Sequence, residues 1–132
     1  MSVGILIITH GEIGEQFIQT ATSTLGGNLP LACRALSVSP NCEPEKMLAK
    51  AKSLLEAVDQ GDGILILTDM YGSTPSNIAN HFEKLDNLHV IAGINLPMFI
   101  RALNYSDSSL DDMTEKALSG GHDGIMLCQQ EN

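Results

Sequence analysis

The stretch Gly4-Ile5-Leu6-Ile7-Ile8-Thr9-His10-Gly11 decides the fold of this chain. Its apolar and largely β-branched residues predict a strand over about residues 3–9 that is buried on both faces, as in parallel sheets. A histidine and a glycine follow at once, and a helical pattern over about residues 13–25 comes next. Because ligands and chemistry gather where the strands of open α/β sheets end, an imidazole at this point is a candidate nucleophile or acid-base group.

Strands and helices alternate along the rest of the chain, which predicts a layered α/β fold with a mostly parallel sheet and a single domain over residues 1–132. The later predicted strands cover about residues 31–38, 64–68, 89–94 and 124–128. The later predicted helices begin near residues 44, 75 and 97, and the last one covers about residues 110–119. Gly120-Gly121 separates that helix from the final strand.

Composition excludes several classes of function. The formal net charge of −9, with only seven basic residues scattered along the chain, argues against nucleic acid as a partner. No apolar run approaches the roughly 20 residues that span a bilayer, and the amino terminus carries no signal-peptide pattern. Three cysteines without metal-ligand spacing predict free thiols, a cytoplasmic location, and neither a metal nor a cofactor.

Two residues that follow apolar strands form a candidate catalytic pair. His10 ends the first strand, and Asp69 follows the third. If these strands are neighbours, the two side chains meet at one edge of the sheet. A carboxylate that accepts the hydrogen bond from Nδ1–H fixes the tautomer of the imidazole and leaves the Nε2 lone pair free to attack.

Residues close to this pair are suited to binding an anion. Ser73 and Thr74 offer hydroxyl groups, Gly72 allows close approach of the backbone, and Gly11 with the first turn of the first helix adds N–H donors. A helix is predicted to begin at Pro75 with Thr74 as its N-cap, and its positive dipole end points at the site. A nucleophilic nitrogen beside such donors fits phosphoryl transfer through a phosphohistidine better than it fits hydrolysis.

Each of these features also has a purely structural interpretation. A histidine at a strand end can be a hydrogen-bonded structural residue, Asp69 can serve only its own turn, and residues 73–75 can be only a helix cap. Their convergence on one sheet edge favours the functional interpretation.

Three motifs then identify a resemblance. They are Thr9-His10-Gly11 with Glu15-Gln16 beyond it, the run from Leu67 to Pro75, and the run from Ala92 to Met98. In this order, the motifs resemble those of the IIA component of the mannose-family, phosphoenolpyruvate-dependent sugar phosphotransferase system. The resemblance covers nearly the whole chain.

The resemblance implies a role for each member of the pair. In the family, the histidine at the position of His10 accepts a phosphoryl group from the small histidine-containing phosphocarrier protein and passes it to a histidine of a IIB component. The residue at Asp69 orients the imidazole.

The resemblance also implies a three-layer, doubly wound sheet in which the first strand lies beside the third. The family's last strand is an antiparallel edge strand that two subunits of a homodimer can exchange, and residues 124–128 are the candidate here.

Some residues depart from the family pattern. Thr74 replaces a serine, Ser73 replaces a glycine, Met70 replaces a small polar residue, and Glu12 adds a negative charge beside the histidine. These departures affect the geometry of the groups that donate hydrogen bonds to a phosphate, and they affect the preference for partner proteins. The IIB partner is expected to be a separate polypeptide, so the protein is at most peripheral to a membrane transporter. Two alternatives stay open: a regulatory switch whose phosphorylation is read by a non-transport partner, and a phosphotransfer subunit for a dihydroxyacetone kinase.

Overall fold

A computed structural model describes residues 2–129 of the chain. Four strands and five helices alternate in the order that the sequence pattern predicts, up to the last helix. They are β1 (Ser2–His10), α1 (Ile13–Thr24), β2 (Cys33–Val38), α2 (Pro44–Val58), β3 (Gly61–Thr68), α3 (Thr74–Asn80), β4 (Leu88–Ala92), α4 (Leu96–Asn104) and α5 (Leu110–Asp123).

The four strands form one parallel sheet in the order β2-β1-β3-β4, which confirms the predicted α/β fold. The chain first moves from β1 to β2 at one side and then returns past β1 to β3 at the other. The direction of winding therefore reverses between β1 and β3, and a crevice opens at the carboxyl ends of these two strands. In their register Ile8 lies beside Thr68, so both strands end at the same edge of the sheet.

Helices cover both faces of the sheet, which gives three layers. Helices α1, α4 and α5 lie on one face, and α2 and α3 lie on the other. Because side chains alternate along a strand, Ile5 and Ile7 enter the first core, whereas Leu6 and Ile8 enter the second. Burial on both faces explains why the sequence of β1 is continuously apolar.

The carboxyl-terminal segment differs from the prediction. Helix α5 continues to Asp123, and residues 124–129 form no strand, so the described residues contain four strands rather than about five. Gly120 and Gly121 lie inside the helix because α4 packs closely against them: a Cβ on Gly120 would lie 2.7 Å from the Cβ of Arg101. The sequence pattern predicts a helix end at these glycines, whereas in the structure they allow close packing of two helices. The exchange of this segment between two copies stays a prediction.

None of the helices within residues 2–129 is long and apolar enough to cross a membrane.

Candidate functional site

The ends of β1 and β3 place His10 and Asp69 in direct contact. Asp69 Oδ2 lies 2.8 Å from the imidazole Nδ1 and 3.0 Å from the backbone nitrogen of His10. Because an ionised carboxylate only accepts hydrogen bonds, Nδ1 carries the proton in this arrangement and Nε2 holds the lone pair. The imidazole is 48% exposed, whereas the carboxylate side chain is 16% exposed. Nε2 therefore belongs to a ring that solvent reaches.

The electrostatics of Asp69 favour the ionised carboxylate. Partial burial tends to raise its pKa, but hydrogen bonds from the imidazole and the backbone N–H of His10, together with the attraction of His10, outweigh burial and lower the pKa below its ordinary value. The other oxygen, Oδ1, accepts the backbone N–H of Met70 at 3.0 Å. Both oxygens are therefore held, and the carboxylate orientation is fixed.

The loop after β3 uses most of its predicted anion donors internally. The N–H of Gly72 donates to Ser76 Oγ at 3.3 Å, and the backbone N–H and hydroxyl of Ser73 both donate to the carbonyl oxygen of Met70. Ser73 is the N-cap of α3, since its Oγ accepts the N–H of Ser76, so the predicted N-cap at Thr74 is wrong. Thr74 is exposed, and neither its N–H nor its hydroxyl donates to a described residue.

The turn after β1 is fixed in a comparable way. The N–H of Gly11 donates to the carbonyl oxygen of Val38, so this predicted anion donor is also occupied. The hydroxyl oxygen of Thr9, which is fully buried, accepts the N–H of Gly14 at 2.8 Å. The sequence alone gives no role to the hydroxyl groups of Thr9 and Ser76. The available signal was a hydroxyl residue a few positions from a glycine at a predicted turn.

An apolar groove lies next to the site, between α1 and the start of α4. It has a volume of about 480 Å³. We call it the α1–α4 groove, and its lining residues are Glu12, Ile13, Gln16, Phe17, Thr20 and Leu96. Met70 and Tyr71, which directly follow Asp69, are 59% and 79% exposed. Apolar surface therefore extends from both sides of the His10–Asp69 pair.

None of the other three histidines forms a hydrogen bond with this pair in the described part of the chain. Nε2 of His89 is 2.8 Å from Asp111 Oδ1, near the amino end of β4 and hence at the opposite sheet edge. His81 follows α3, and His122 lies in the last turn of α5. Within residues 2–129, no cluster of three or more histidine, cysteine, aspartate or glutamate side chains could hold a metal ion.

Comparison with known proteins gives the class to which this fold and site belong. Residues 4–118 match the protein family described as PTS system fructose IIA component, in which PTS denotes the phosphotransferase system. The chain belongs to this family, as its motifs predict.

One relative and two solved structures illustrate the similarity. The chain is 32% identical, over 128 residues and 95% of its length, to the PTS system mannose-specific EIIAB component of Escherichia coli strain K12. It spans 39% of that relative. The mannose/sorbose specific IIA subunit of the Enterococcus faecalis phosphotransferase system has the same fold, with a TM-score of 0.87, 22% identity, and coverage of 100% of this chain and 98% of that one.

A PTS IIA protein associated with the fucose utilization operon of Streptococcus pneumoniae also shares the fold. Its TM-score is 0.83 at 22% identity, with coverage of 96% of this chain and 93% of that one.

Proposed function

We propose that this protein is a phosphoryl carrier of the sugar phosphotransferase system and that Nε2 of His10 carries the phosphoryl group. The observation that carries the proposal is the 2.8 Å contact between Nδ1 of His10 and Asp69, on a ring that is half exposed. A carboxylate in this position holds the proton on Nδ1 and so keeps Nε2 as the nucleophile. Membership in the IIA family supports the same chemistry.

The transfer step exchanges one phosphorus–nitrogen bond for another. The lone pair of His10 Nε2 attacks the phosphorus atom of a phosphohistidine on the phosphocarrier protein. As the new N–P bond forms, the old one breaks, and the donor imidazole keeps the electron pair. The proton on Nδ1 stays hydrogen-bonded to Asp69, which stabilises the positive charge that develops on the ring. The reverse sequence, with a histidine of a IIB component as nucleophile, discharges His10.

Free backbone donors near His10 are the proposed phosphate contacts. The N–H groups of Glu12, Ile13 and Glu15, in the first turn of α1, donate to no described residue. The N–H and hydroxyl of Thr74 are likewise available. A helix amino terminus attracts anions through its unpaired N–H groups and its dipole. We therefore assign the phosphate contacts to Thr74 and α1. Gly11, Gly72 and Ser73 contribute only where a phosphate replaces the acceptors that these residues have within the chain.

The phosphocarrier and the IIB component are proposed to dock on the apolar surface around His10. Both must bring a histidine to the same nitrogen, so both must cover the surroundings of that nitrogen. The α1–α4 groove and the exposed Met70 and Tyr71 provide apolar and aromatic contact area of the kind that dominates interface energetics.

A homodimer is a further part of the proposal. Ile125, Met126 and Leu127 are 76%, 70% and 83% exposed, and β4 is an edge strand of the sheet. Pairing of residues 124–128 with β4 of a second copy buries this apolar segment and closes the edge. A monomeric mass in sedimentation equilibrium at micromolar concentration contradicts this part alone.

The direct test is phosphorylation followed by intact-mass measurement. The protein is incubated with phosphoenolpyruvate, the first general enzyme of the system and the phosphocarrier protein. We expect one added phosphoryl group that is stable in base and labile in acid. His10→Ala removes it, whereas the matched control His122→Ala keeps it. Label that persists in His10→Ala moves the nucleophile elsewhere.

A further inference from the structure

Two threonines lie at the carboxyl ends of the two central strands, Thr9 as the next-to-last residue of β1 and Thr68 as the last residue of β3, and each one directly precedes a member of the proposed pair. Thr9 precedes His10 and Thr68 precedes Asp69, and both are fully buried. Their hydroxyl groups differ. Thr9 Oγ1 accepts a hydrogen bond from α1, whereas Thr68 Oγ1 has no partner among the described residues. Strand alternation places Thr68 on the other face of the sheet, below α2 and α3.

The Thr9 hydroxyl replaces a helix cap. Helix α1 begins after Glu12, whose side chain makes no capping hydrogen bond. The N–H of Gly14 would normally be one of the unpaired donors of the first turn, but here it reaches Thr9 Oγ1 at 2.8 Å. Gly14 is buried, and a Cβ at this position would lie 3.1 Å from Ile7 and 3.4 Å from Ala35. The first turn of α1 therefore rests directly on the sheet.

This hydrogen bond closes a short loop around the proposed nucleophile, since Thr9 and Gly14 enclose residues 10–13. Two other bonds hold the same turn, from the N–H of His10 to Asp69 and from the N–H of Gly11 to Val38. The bond to Thr9 connects the end of β1 to the first turn of α1.

We propose that Thr9 is a positioning residue for His10, a role that deepens the proposed function and rests on it. Without the hydroxyl, the buried N–H of Gly14 loses its acceptor, which is costly enough to move the first turn of α1 toward water. Residues 11–13 move with that turn and displace the imidazole from Asp69 Oδ2. The ring then spends more time with its proton on Nε2. In that tautomer Nε2 has no free lone pair with which to attack phosphorus.

The test compares Thr9→Val with Thr9→Ser and Thr68→Val. Valine keeps the shape of threonine and removes the acceptor, whereas serine keeps the acceptor. Thr68→Val is the matched control, because it makes the same change at an equally buried threonine whose hydroxyl has no partner in the described part of the chain. Thermal unfolding of all variants reports any general loss of stability.

Two measurements are made on each variant. The first is the rate at which phosphoramidate phosphorylates His10; the N–P bond of the reagent breaks, ammonia leaves, and a new bond forms to Nε2. The second is the fraction of imidazole with the proton on Nδ1, from ¹⁵N NMR of the ring. In Thr9→Val we expect a rate loss of about tenfold and a lower Nδ1–H fraction. Thr9→Ser and Thr68→Val stay within about twofold of wild type.

Wild-type rate and wild-type tautomer in folded Thr9→Val overturn the proposal, and so do equal losses in Thr68→Val. If Thr9→Val does not fold, Thr9→Ser against Thr9→Ala makes the same comparison, and equal rates and equal Nδ1–H fractions in these two overturn it. The NMR measurement needs no phosphoryl transfer. A wild-type protein that phosphoramidate leaves unmodified at His10 therefore contradicts the proposed function, while the tautomer still decides the role of Thr9.

Discussion

A single carboxylate oxygen, Oδ2 of Asp69, accepts two hydrogen bonds from His10, one from the backbone N–H at 3.0 Å and one from the ring Nδ1 at 2.8 Å. The second oxygen, Oδ1, accepts the N–H of Met70 at 3.0 Å. Every hydrogen bond that this side chain makes thus requires an acceptor. The site therefore requires a carboxylate at position 69, because a side chain with its own N–H group would place a hydrogen-bond donor against another donor.

Asp69→Asn is the first prediction. In either orientation of the amide, its NH₂ group faces an N–H donor, either that of Met70 or those of His10. We expect the variant to fold and phosphoryl transfer to His10 to slow by roughly 10²-fold. An NH₂ group that faces His10 favours the tautomer with the proton on Nε2, and in the other orientation the neutral amide no longer stabilises the positive charge that develops on the ring. Rapid-quench measurement of the phosphorylated fraction tests this.

The chain supplies a matched control in its second histidine–aspartate contact, between His89 and Asp111 at the opposite sheet edge. Asp111→Asn makes the same chemical change and is expected to leave the transfer rate unchanged. An equal loss in both variants would mean that general destabilisation, and not the orientation of His10, causes the effect.

The second prediction concerns pH and stability. The pKa of Asp69 is lower in the folded protein than in the unfolded chain, so the unfolded state binds more protons as the pH falls. The ionised carboxylate therefore stabilises the fold above its unfolded pKa of about 3.9, and this contribution is lost as the pH falls through the lower folded pKa. Urea unfolding should show a gap between wild type and Asp69→Asn at pH 5 that narrows toward pH 3. A constant gap contradicts this.

The elements that long apolar patterns specify were predictable, and those that depend on packing between helices were not. The run from Gly4 to His10 predicted β1 because burial on both faces leaves a continuous apolar signal. Gly120-Gly121 suggested a helix end, yet both glycines lie inside α5 because the surface of α4 lies against them. No local signal in the sequence reports a contact with another helix.

In the candidate site, too, one part was predictable from the sequence and another part was not. The contact between His10 and Asp69 was predictable, because parallel strands deliver their last residues to one edge of the sheet. The predicted anion donors could not be ranked from the sequence, since Gly11, Gly72 and Ser73 donate to groups within the chain whereas Thr74 does not. Residue type shows which groups can donate a hydrogen bond, but only the folded loop shows which donors remain free.

The third prediction tests docking in the α1–α4 groove. Thr20→Trp places a large ring in the groove, whereas Gln19→Trp makes the same addition at an exposed neighbour that does not line it. We expect Thr20→Trp to lower kcat/KM for the phosphocarrier protein by about tenfold, because a partner side chain can no longer enter. Phosphorylation by phosphoramidate needs no docking and should proceed at the wild-type rate. Equal effects of the two variants on the protein donor would exclude the groove as a contact.

The fourth prediction contrasts two buried glycines that face different neighbours. A Cβ on Gly4 would lie 1.9 Å from the backbone carbonyl oxygen of Val58, which α2 holds in place. A Cβ on Gly121 would lie 2.8 Å from Cε of Met98, the far end of a flexible side chain. We expect Gly4→Ala to lower the free energy of unfolding by about 3 kcal/mol, because strand and helix must separate. Gly121→Ala should stay within about 1 kcal/mol of wild type, because alanine favours the helix and Met98 can change rotamer. Urea unfolding measures both, and equal losses would mean that the two helix contacts are equally rigid.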